Sequence, residues 1–156
     1  MIILFKAIIF TLILFFLYYK ISIGYDYVKD IYKATGIIAI ITFFISILLP
    51  NKFIVWIKYF GKISLLFACL HFFNFIFFDT QLNIKTILYN FLSPRNLIGF
   101  SAIFIMTMVF FKKYFNLLNT ALFLACLHYA MSVKIPEIIH YCAILLSFLL
   151  LFKDKK

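Results

Sequence analysis

The chain has 156 residues, of which 67% are hydrophobic and 22% aromatic, and its formal net charge is +10. Soluble domains contain roughly 45–50% apolar residues, so this composition excludes an ordinary soluble domain and predicts an integral membrane protein. The basic residues are scattered over short loops and form no contiguous patch in the sequence. We therefore expect them to contact the anionic headgroups of membrane lipids, and we expect no nucleic-acid partner.

Six segments without Asp, Glu, Lys or Arg approach the ~20 residues that a helix needs to span a bilayer. In chain order they cover residues 7–19, 34–51, 63–78, 96–111, 114–133 and 138–152. The shorter segments can extend into flanking residues, because lysine side chains reach toward the interface. The longest connection, residues 79–95, has room only for a short amphipathic turn or helix. We predict an all-α membrane protein, a bundle of six transmembrane helices that forms a single domain over residues 1–156.

The basic residues also predict the orientation of this bundle, because cytoplasmic loops carry an excess of lysine and arginine. An even number of spans places both termini on the same side of the membrane. If the termini are inside, the inner face carries nine basic residues: Lys6, Lys52, Lys58, Lys62, Lys112, Lys113, Lys153, Lys155 and Lys156. The outer face then carries six: Lys20, Lys29, Lys33, Lys85, Arg95 and Lys134. This bias predicts that both termini lie inside.

The positions of the cysteines and glycines limit which cofactors this chain could bind. The three cysteines lie within apolar spans and form no Cys-x-x-Cys pair: Cys69, Cys126 and Cys142. We interpret them as small buried hydrophobic residues, with a disulfide as the alternative. The four glycines are isolated, so the phosphate-binding glycine loop of a flavin or nicotinamide domain is missing from this sequence. Electrons or substrates must therefore come from the membrane or from another protein.

Two of the three histidines lie in a repeated sequence. Residues 65–73 read LLFACLHFF and residues 122–130 read LFLACLHYA, so His71 and His128 occupy matching places. Each histidine ends a stripe of small residues at helical spacing, Gly61-Ser64-Ala68 in the third span and Ala121-Ala125 in the fifth. Such stripes allow close helix packing, and they equally leave a flat slot for a porphyrin.

The predicted depth of these histidines in the membrane suggests that both could bind one iron. His71 lies eight residues before Asp79 and His128 six before Lys134, which places them ~12 and ~9 Å from the outer ends of their helices. Because the third and fifth spans run in the same direction, one iron could reach both rings. An ionisable side chain at membrane depth also needs a partner. Two interpretations remain open: axial haem ligation, or hydrogen bonding across helices to Asn74, Ser132 or a carbonyl.

The third histidine, His140, follows Glu137 by three residues near the outer end of the last span. A Glu-x-x-His pair could bind a metal or transfer protons, but a lone pair at this spacing is weak support for either. We interpret His140 as an interface residue without a ligand role.

Several stretches carry a family resemblance: ATGIIAI at 34–40, the span that ends at Leu49-Pro50, YFGKISLLFACLHFFNFIFFD at 59–79, SPRNLIGF at 93–100, CLHYAMSVK at 126–134 and PEIIHYCAILLSFLLLFK at 136–153. In this order they resemble the MsrQ (YedZ) family of haem-binding membrane subunits of periplasmic methionine sulfoxide reductase systems. That family belongs to the ferric-reductase-like transmembrane superfamily. The most specific blocks are those around His71 and from His128 to Lys134, because apolar helices match one another easily.

The resemblance implies that His71 and His128 are the axial ligands of a b-type haem. The family usually carries a further histidine where this chain has Phe115, so we expect one haem rather than two. The family's paired arginines before the third helix are only partly kept, since Ile57 and Lys58 stand there. FMN is a further cofactor that the family allows.

A bis-imidazole iron has no open coordination position, so it transfers electrons rather than binding substrate. The resemblance implies a multi-pass cytochrome of the bacterial inner membrane without an active site of its own. It would relay electrons from quinol, or from a flavin-linked donor, to a periplasmic molybdopterin-containing methionine sulfoxide reductase. Haem propionates near the outer surface need cationic partners, and Arg95 and Lys134 are the nearest candidates. Ordinary anchoring at the interface is the alternative role for these two residues.

Two other classes compete with this hypothesis. One is a small polytopic transporter, which is disfavoured because no Asp or Glu lies mid-span to couple protons. The other is a non-catalytic membrane assembly subunit without haem, whose histidines only pack. A reducible b-type absorbance band distinguishes the cytochrome from both.

Overall fold

A computed structural model of the protein describes residues 2–111 and 117–152, apart from the side chain of Asp79. This part of the chain forms seven α-helices: α1 Ile2–Ile23, α2 Tyr27–Leu48, α3 Ile54–Asn74, α4 Ile84–Phe91, α5 Pro94–Phe110, α6 Leu118–Met131 and α7 Ile138–Leu151. A 3₁₀ turn, Asn51–Phe53, leads into α3, and a π turn, Phe75–Asp79, follows it. Some residues used above to predict orientation and haem number lie outside the described ranges: Lys112, Lys113, Phe115, Lys153, Lys155 and Lys156.

Three segments are long and apolar enough to cross a membrane: Ile2–Ile23, Tyr27–Leu48 and Asn51–Phe78. Helices α4 and α5 together qualify as a fourth, although a bend of 91° separates them. Helices α6 and α7 are apolar but shorter, with 14 residues each. The prediction of an all-α protein is confirmed for the described ranges, and these helices supply three candidate membrane spans, or four with the bent pair. The number of six spans and the inside position of the termini stay predictions.

Local sequence explains where several helices begin and end. The Asp26 carboxylate caps α2 by accepting a hydrogen bond from the Lys29 amide, 3.2 Å away, and it pairs with the Lys29 ammonium at 2.9 Å. These hydrogen bonds lower the pKa of Asp26. Helix α2 ends before Pro50, which cannot continue a helix, whereas Pro94 occupies the first turn of α5, where a missing N–H is harmless.

The chain divides into two compact units, Met1–Leu82 and Asn83–Lys156, and each is described by itself. In the first unit α2 packs against both α1 and α3. In the second unit α5 packs against α4 and α6, and α6 also packs against α7. The prediction of one domain over residues 1–156 stays a prediction.

The small stripe of α3 is used for close packing in the first unit. Ser64 is 0% exposed, and its hydroxyl donates to the Ala39 carbonyl of α2 over 2.7 Å. One helical turn earlier, Gly61 lies against Ser46, whose hydroxyl donates to the Ile57 carbonyl over 3.1 Å. Small side chains therefore let the two backbones approach closely, as expected for membrane helices.

The second unit has a core of small and medium-sized residues on α6. Ala121, Leu122 and Cys126 are fully buried. The Asn119 side-chain amide donates to the Leu150 carbonyl over 2.6 Å and so joins α6 to α7. The stripe that ends at His128 is buried at Ala121 and only half-buried at Ala125.

The three cysteines differ in burial. All are free thiols; Cys126 is buried, Cys69 is half-buried and Cys142 is exposed. The prediction of a buried side chain was therefore wrong for Cys142. The buried face of α7 includes His140, and a step of two residues turns a helical side chain by ~200°, which points Cys142 away from that face.

Candidate haem-ligand histidines

His71 lies on α3, and its ring contacts α2. The ring Nδ1 lies 2.9 Å from the carbonyl oxygen of Tyr32. A carbonyl can only accept a hydrogen bond, so Nδ1 is the protonated nitrogen, and in the neutral ring Nε2 then carries the lone pair. The Tyr32 ring also lies beside the imidazole, with 4.0 Å between the ring centroids and an angle of 37° between the planes.

His128 lies on α6 and makes the same contact with α5. Its Nδ1 lies 2.8 Å from the carbonyl oxygen of Arg95. The same reasoning assigns the proton to Nδ1 and the lone pair to Nε2. The Ser132 hydroxyl donates to the backbone carbonyl of His128 over 2.7 Å.

A glycine faces each of these rings. Gly36 follows Tyr32 by four residues, and Gly99 follows Arg95 by four, so each glycine lies one helical turn after the carbonyl that binds the ring. A β-carbon at Gly36 would lie 3.1 Å from Nδ1 of His71, and one at Gly99 would lie 2.6 Å from Nδ1 of His128. We call this arrangement of ring, carbonyl and glycine the imidazole seat.

The histidines of both seats could be predicted from the sequence, but the glycines were not. Gly36 and Gly99 served there only to exclude a nucleotide-binding loop. A signal was available, because a glycine inside a helix costs about 1 kcal/mol relative to alanine and usually has a packing or functional reason. Both glycines also lie inside the stretches that carry the family resemblance, 34–40 and 93–100.

The two interpretations of the histidines are compatible in this geometry. Of the three hydrogen-bond partners that the sequence left open, a carbonyl is the one found at each ring. That bond uses Nδ1, whereas iron ligation would use Nε2. In metal sites a histidine ligand usually donates its other N–H to a carbonyl or carboxylate, which fixes the ring orientation and raises its basicity. Asn74 is not used in this way, and its buried Nδ2 has no hydrogen-bond partner within the described ranges.

Arg95 and Lys134 occupy exposed positions in the second unit. The Arg95 side chain donates through Nε to the Asn96 side-chain oxygen over 3.2 Å. Its backbone carbonyl, rather than its guanidinium, is the group that binds His128. Lys134 lies in the bend that follows α6. The role of the Arg95 and Lys134 side chains in binding propionates stays a prediction.

His140 serves as an N-terminal cap of α7. Its Nδ1 accepts a hydrogen bond from the Glu137 amide over 3.0 Å, within a capping box formed by the two residues. The ring is 5% exposed and stacks on Tyr129, with 4.6 Å between centroids. Its Nε2 is buried without a hydrogen-bond partner among the residues that the structure describes. The Glu137-x-x-His140 spacing therefore has a structural explanation.

Residues 2–111 and 117–152 contain no group of three or more His, Cys, Asp or Glu side chains that could hold a metal ion. A b-type haem does not need such a group, because the porphyrin supplies the equatorial ligands and the protein supplies only axial ones. Each imidazole seat fits that need, since its tautomer leaves Nε2 as the donor atom. His71 belongs to the first unit and His128 to the second.

In the described ranges the protein is all-α, has helices long and apolar enough to cross a membrane, and holds one imidazole seat in each of its two units. No protein-family model, curated protein or solved structure matches the chain.

Proposed function

We propose that the protein is a membrane b-type cytochrome in which His71 and His128 are the axial ligands of one haem b. The supporting observation is the pair of Nδ1–H to carbonyl hydrogen bonds, at 2.9 and 2.8 Å. They give both rings the tautomer that an iron ligand requires and restrict their rotation. When bound, the haem would supply a one-electron couple.

The single-iron form of this proposal comes from the sequence. If the chain forms the predicted six-span bundle with both termini inside, His71 and His128 would lie at similar depths in spans that run in the same direction. An axial pair uses both coordination positions that the porphyrin leaves open, so the proposed function is electron transfer rather than oxygen chemistry. The protein would then be the membrane subunit of an oxidoreductase system.

The proposed partners follow from the family resemblance. The donor would be quinol or a flavin-linked protein on the inner side of the bacterial inner membrane, with FMN as a further cofactor that the family allows. The acceptor would be a periplasmic molybdopterin-containing methionine sulfoxide reductase. Quinol suits this chain better than NAD(P)H, because its four isolated glycines form no nucleotide-binding loop.

Reduced-minus-oxidised absorbance spectra of the purified, haem-supplied protein test the proposal. We expect a b-type band that is lost in both His71→Gly and His128→Gly. Added imidazole should restore the band in each variant, because a free imidazole fills the space of the missing ring. A colourless wild-type protein overturns the proposal. A band that survives either substitution without imidazole shows that other residues bind the iron.

A haem-free membrane assembly subunit is the second candidate. The observation that favours it is that each histidine ring joins two neighbouring helices through a carbonyl, which is also a purely structural role. In that case the wild-type protein is colourless, and both histidine substitutions lower its thermal stability.

A further inference from the structure

We propose that Gly36 and Gly99 are positioning residues that set the orientation of the two ligand rings, and that the seat at Gly99 is the tighter one. This inference rests on the proposed haem function. It assigns a role to two residues on α2 and α5 that lie beside the ligands and would not touch iron themselves.

The space between glycine and ring differs between the two seats. A β-carbon at residue 99 would lie 2.6, 2.8 and 2.9 Å from Nδ1, Cε1 and Cγ of His128. At residue 36 the corresponding distances are 3.1 Å to Nδ1, 3.1 Å to Cε1 and 3.9 Å to Cγ of His71. Optimal contact between non-bonded heavy atoms lies near 3.5–4.0 Å. An alanine at 36 therefore needs a shift of a few tenths of an ångström, whereas an alanine at 99 must displace the ring or the helix.

Displacement of the ring would weaken its hydrogen bond to the carbonyl. In an α-helix the amide of residue i bonds to the carbonyl of residue i−4, so the Gly99 amide and the His128 Nδ1–H share the Arg95 carbonyl. The glycine and the acceptor are thus fixed to one helical turn. A ring that is pushed away from residue 99 also moves away from its acceptor.

Loss of that hydrogen bond has a spectroscopic consequence in a haem-loaded protein. A bonded Nδ1–H makes imidazole a stronger electron donor, which favours the oxidised iron. We expect Gly99→Ala to raise the midpoint potential and to change the low-spin EPR signal, which is sensitive to ring orientation. We expect Gly36→Ala to change both in the same direction but less.

Gly61→Ala is the matched control. Gly61 is also a helical glycine, and the one described atom that a β-carbon there would meet within 4 Å is the Ser46 hydroxyl, at 3.3 Å. All three substitutions improve helix propensity equally, so propensity does not account for a spectroscopic difference among them. The expected order of the spectroscopic change is Gly99→Ala, then Gly36→Ala, then Gly61→Ala with no change. An unchanged potential and EPR signal in Gly99→Ala overturn the inference, as does an equal shift in Gly61→Ala.

A haem-free experiment separates this inference from the proposed function. Unfolding of the detergent-solubilised protein is compared for Gly99→Ala in the wild-type and in the His128→Ala background. If the β-carbon clashes with the ring, Gly99→Ala lowers the unfolding midpoint only where His128 is present, because residues in contact do not act additively. Equal effects in both backgrounds overturn the positioning role, whether or not haem binds.

Helix α4 supports a second, independent inference. It lies at 91° to α5 and is fixed there by the Asn96 side-chain amide, which donates to the Asn90 carbonyl over 2.8 Å. Phe91 packs on Phe100 of α5, with 4.5 Å between the ring centroids. If the apolar helix α5 follows the membrane normal, α4 lies in the plane of the membrane.

One side of α4 is apolar and uncovered within the described part of the unit. Ile84, Leu88 and Leu92 are 72%, 60% and 69% exposed and share a helical face. Lys85 and Tyr89 flank that face, and both are exposed. Aliphatic residues beside a lysine and a tyrosine match the boundary between acyl chains and anionic headgroups. We infer that α4 rests on the bilayer interface, with Ile84, Leu88 and Leu92 in contact with lipid.

Fluorescence quenching tests this placement in vesicles of brominated phosphatidylcholine and phosphatidylglycerol. The chain has one tryptophan, so Leu88→Trp and Asn90→Trp are each built on Trp56→Phe. We expect strong quenching by the brominated acyl chains for Leu88→Trp and weak quenching for Asn90→Trp. Equal quenching indicates a helix inside the bilayer, and no quenching of Leu88→Trp indicates that protein covers this face. Either result overturns the inference.

Discussion

Gly99 and His128 approach so closely across the contact of α5 with α6 that a β-carbon on residue 99 would lie 2.6 Å from Nδ1 of the ring. Gly36 and His71 repeat this relationship between α2 and α3, at 3.1 Å. In both cases the ring donates to the carbonyl one helical turn before the glycine. The hydrogen bond places the proton of each imidazole on Nδ1 and holds the ring in one orientation. The lone pair on Nε2 then gives each histidine a testable role as a metal ligand.

Arg95 offers a test that separates its carbonyl from its side chain. Arg95→Ala keeps the backbone acceptor of His128, so ¹⁵N NMR of labelled histidine should still report a proton on Nδ1. If the guanidinium binds a propionate, the same variant retains less haem during purification. Lys134→Ala should lower retention in the same way. Unchanged haem content in both variants discards the propionate role, and a changed tautomer in Arg95→Ala contradicts the assignment of the carbonyl.

Ser64 tests the close approach of α2 and α3. Because this side chain is fully buried, Ser64→Leu should lower the free energy of unfolding by ~1–3 kcal/mol through overpacking. Ser64→Ala only removes the hydrogen bond to Ala39, which costs about 0.6 kcal/mol in a membrane protein. The measurement is denaturation by SDS in mixed micelles. Leu66→Ala, at a position that is 46% exposed, is the control, and equal stability of Ser64→Leu and wild type would contradict this packing.

Asn119 tests the link between α6 and α7. Asn119→Ala removes the side-chain donor to the Leu150 carbonyl, which also accepts from the Phe152 amide, so the loss of stability should be ~0.5–1.5 kcal/mol. Asn119→Asp should cost more, because a carboxylate cannot donate to a carbonyl and its charge would be buried. The same micelle titration measures both changes. Asn119→Ala and Asn119→Asp of equal stability would argue against a buried donor at this position.

Substitution of His140 tests whether this side chain caps α7 or binds iron. His140→Ala removes the acceptor of the Glu137 amide, so we expect a loss of ~0.5–1.5 kcal/mol from the stability of the α7 end. The b-type band should keep its position and intensity, because this ring is not an axial ligand in the proposal. His140→Gln is the partial rescue, since a glutamine at N3 of a capping box also accepts a hydrogen bond from the N-cap amide. A band that disappears in His140→Ala would make His140 a ligand candidate in place of His71 or His128.

The helices could be predicted from the sequence because their apolar runs are long and their ends carry simple signals. The run at 34–51 gives α2, which ends just before Pro50, and the run at 96–111 gives α5, which begins at Pro94. The exposure of Cys142 could not be predicted, because the faces of this helix are all apolar and do not show which one is buried. Helix α4 was expected only as a short amphipathic turn or helix, since eight residues give too little periodicity to decide its extent.

The candidate histidines could also be chosen from the sequence, because a titratable side chain in an apolar run is conspicuous. Their hydrogen-bond partners could not, since every residue carries an equivalent backbone carbonyl. Gly36 and Gly99 were therefore overlooked. Their importance depends on which ring lies above them, and that depends on how α2 meets α3 and how α5 meets α6.

The sequence by itself determined that this chain is helical, with several segments apolar and long enough to cross a membrane, and it marked His71 and His128 as unusual side chains, because composition and hydrophobic run length are local properties. Only the tertiary structure decided which ring nitrogen holds the proton. That choice depends on an acceptor 39 residues away from His71 and 33 away from His128, brought within hydrogen-bonding distance by helix packing.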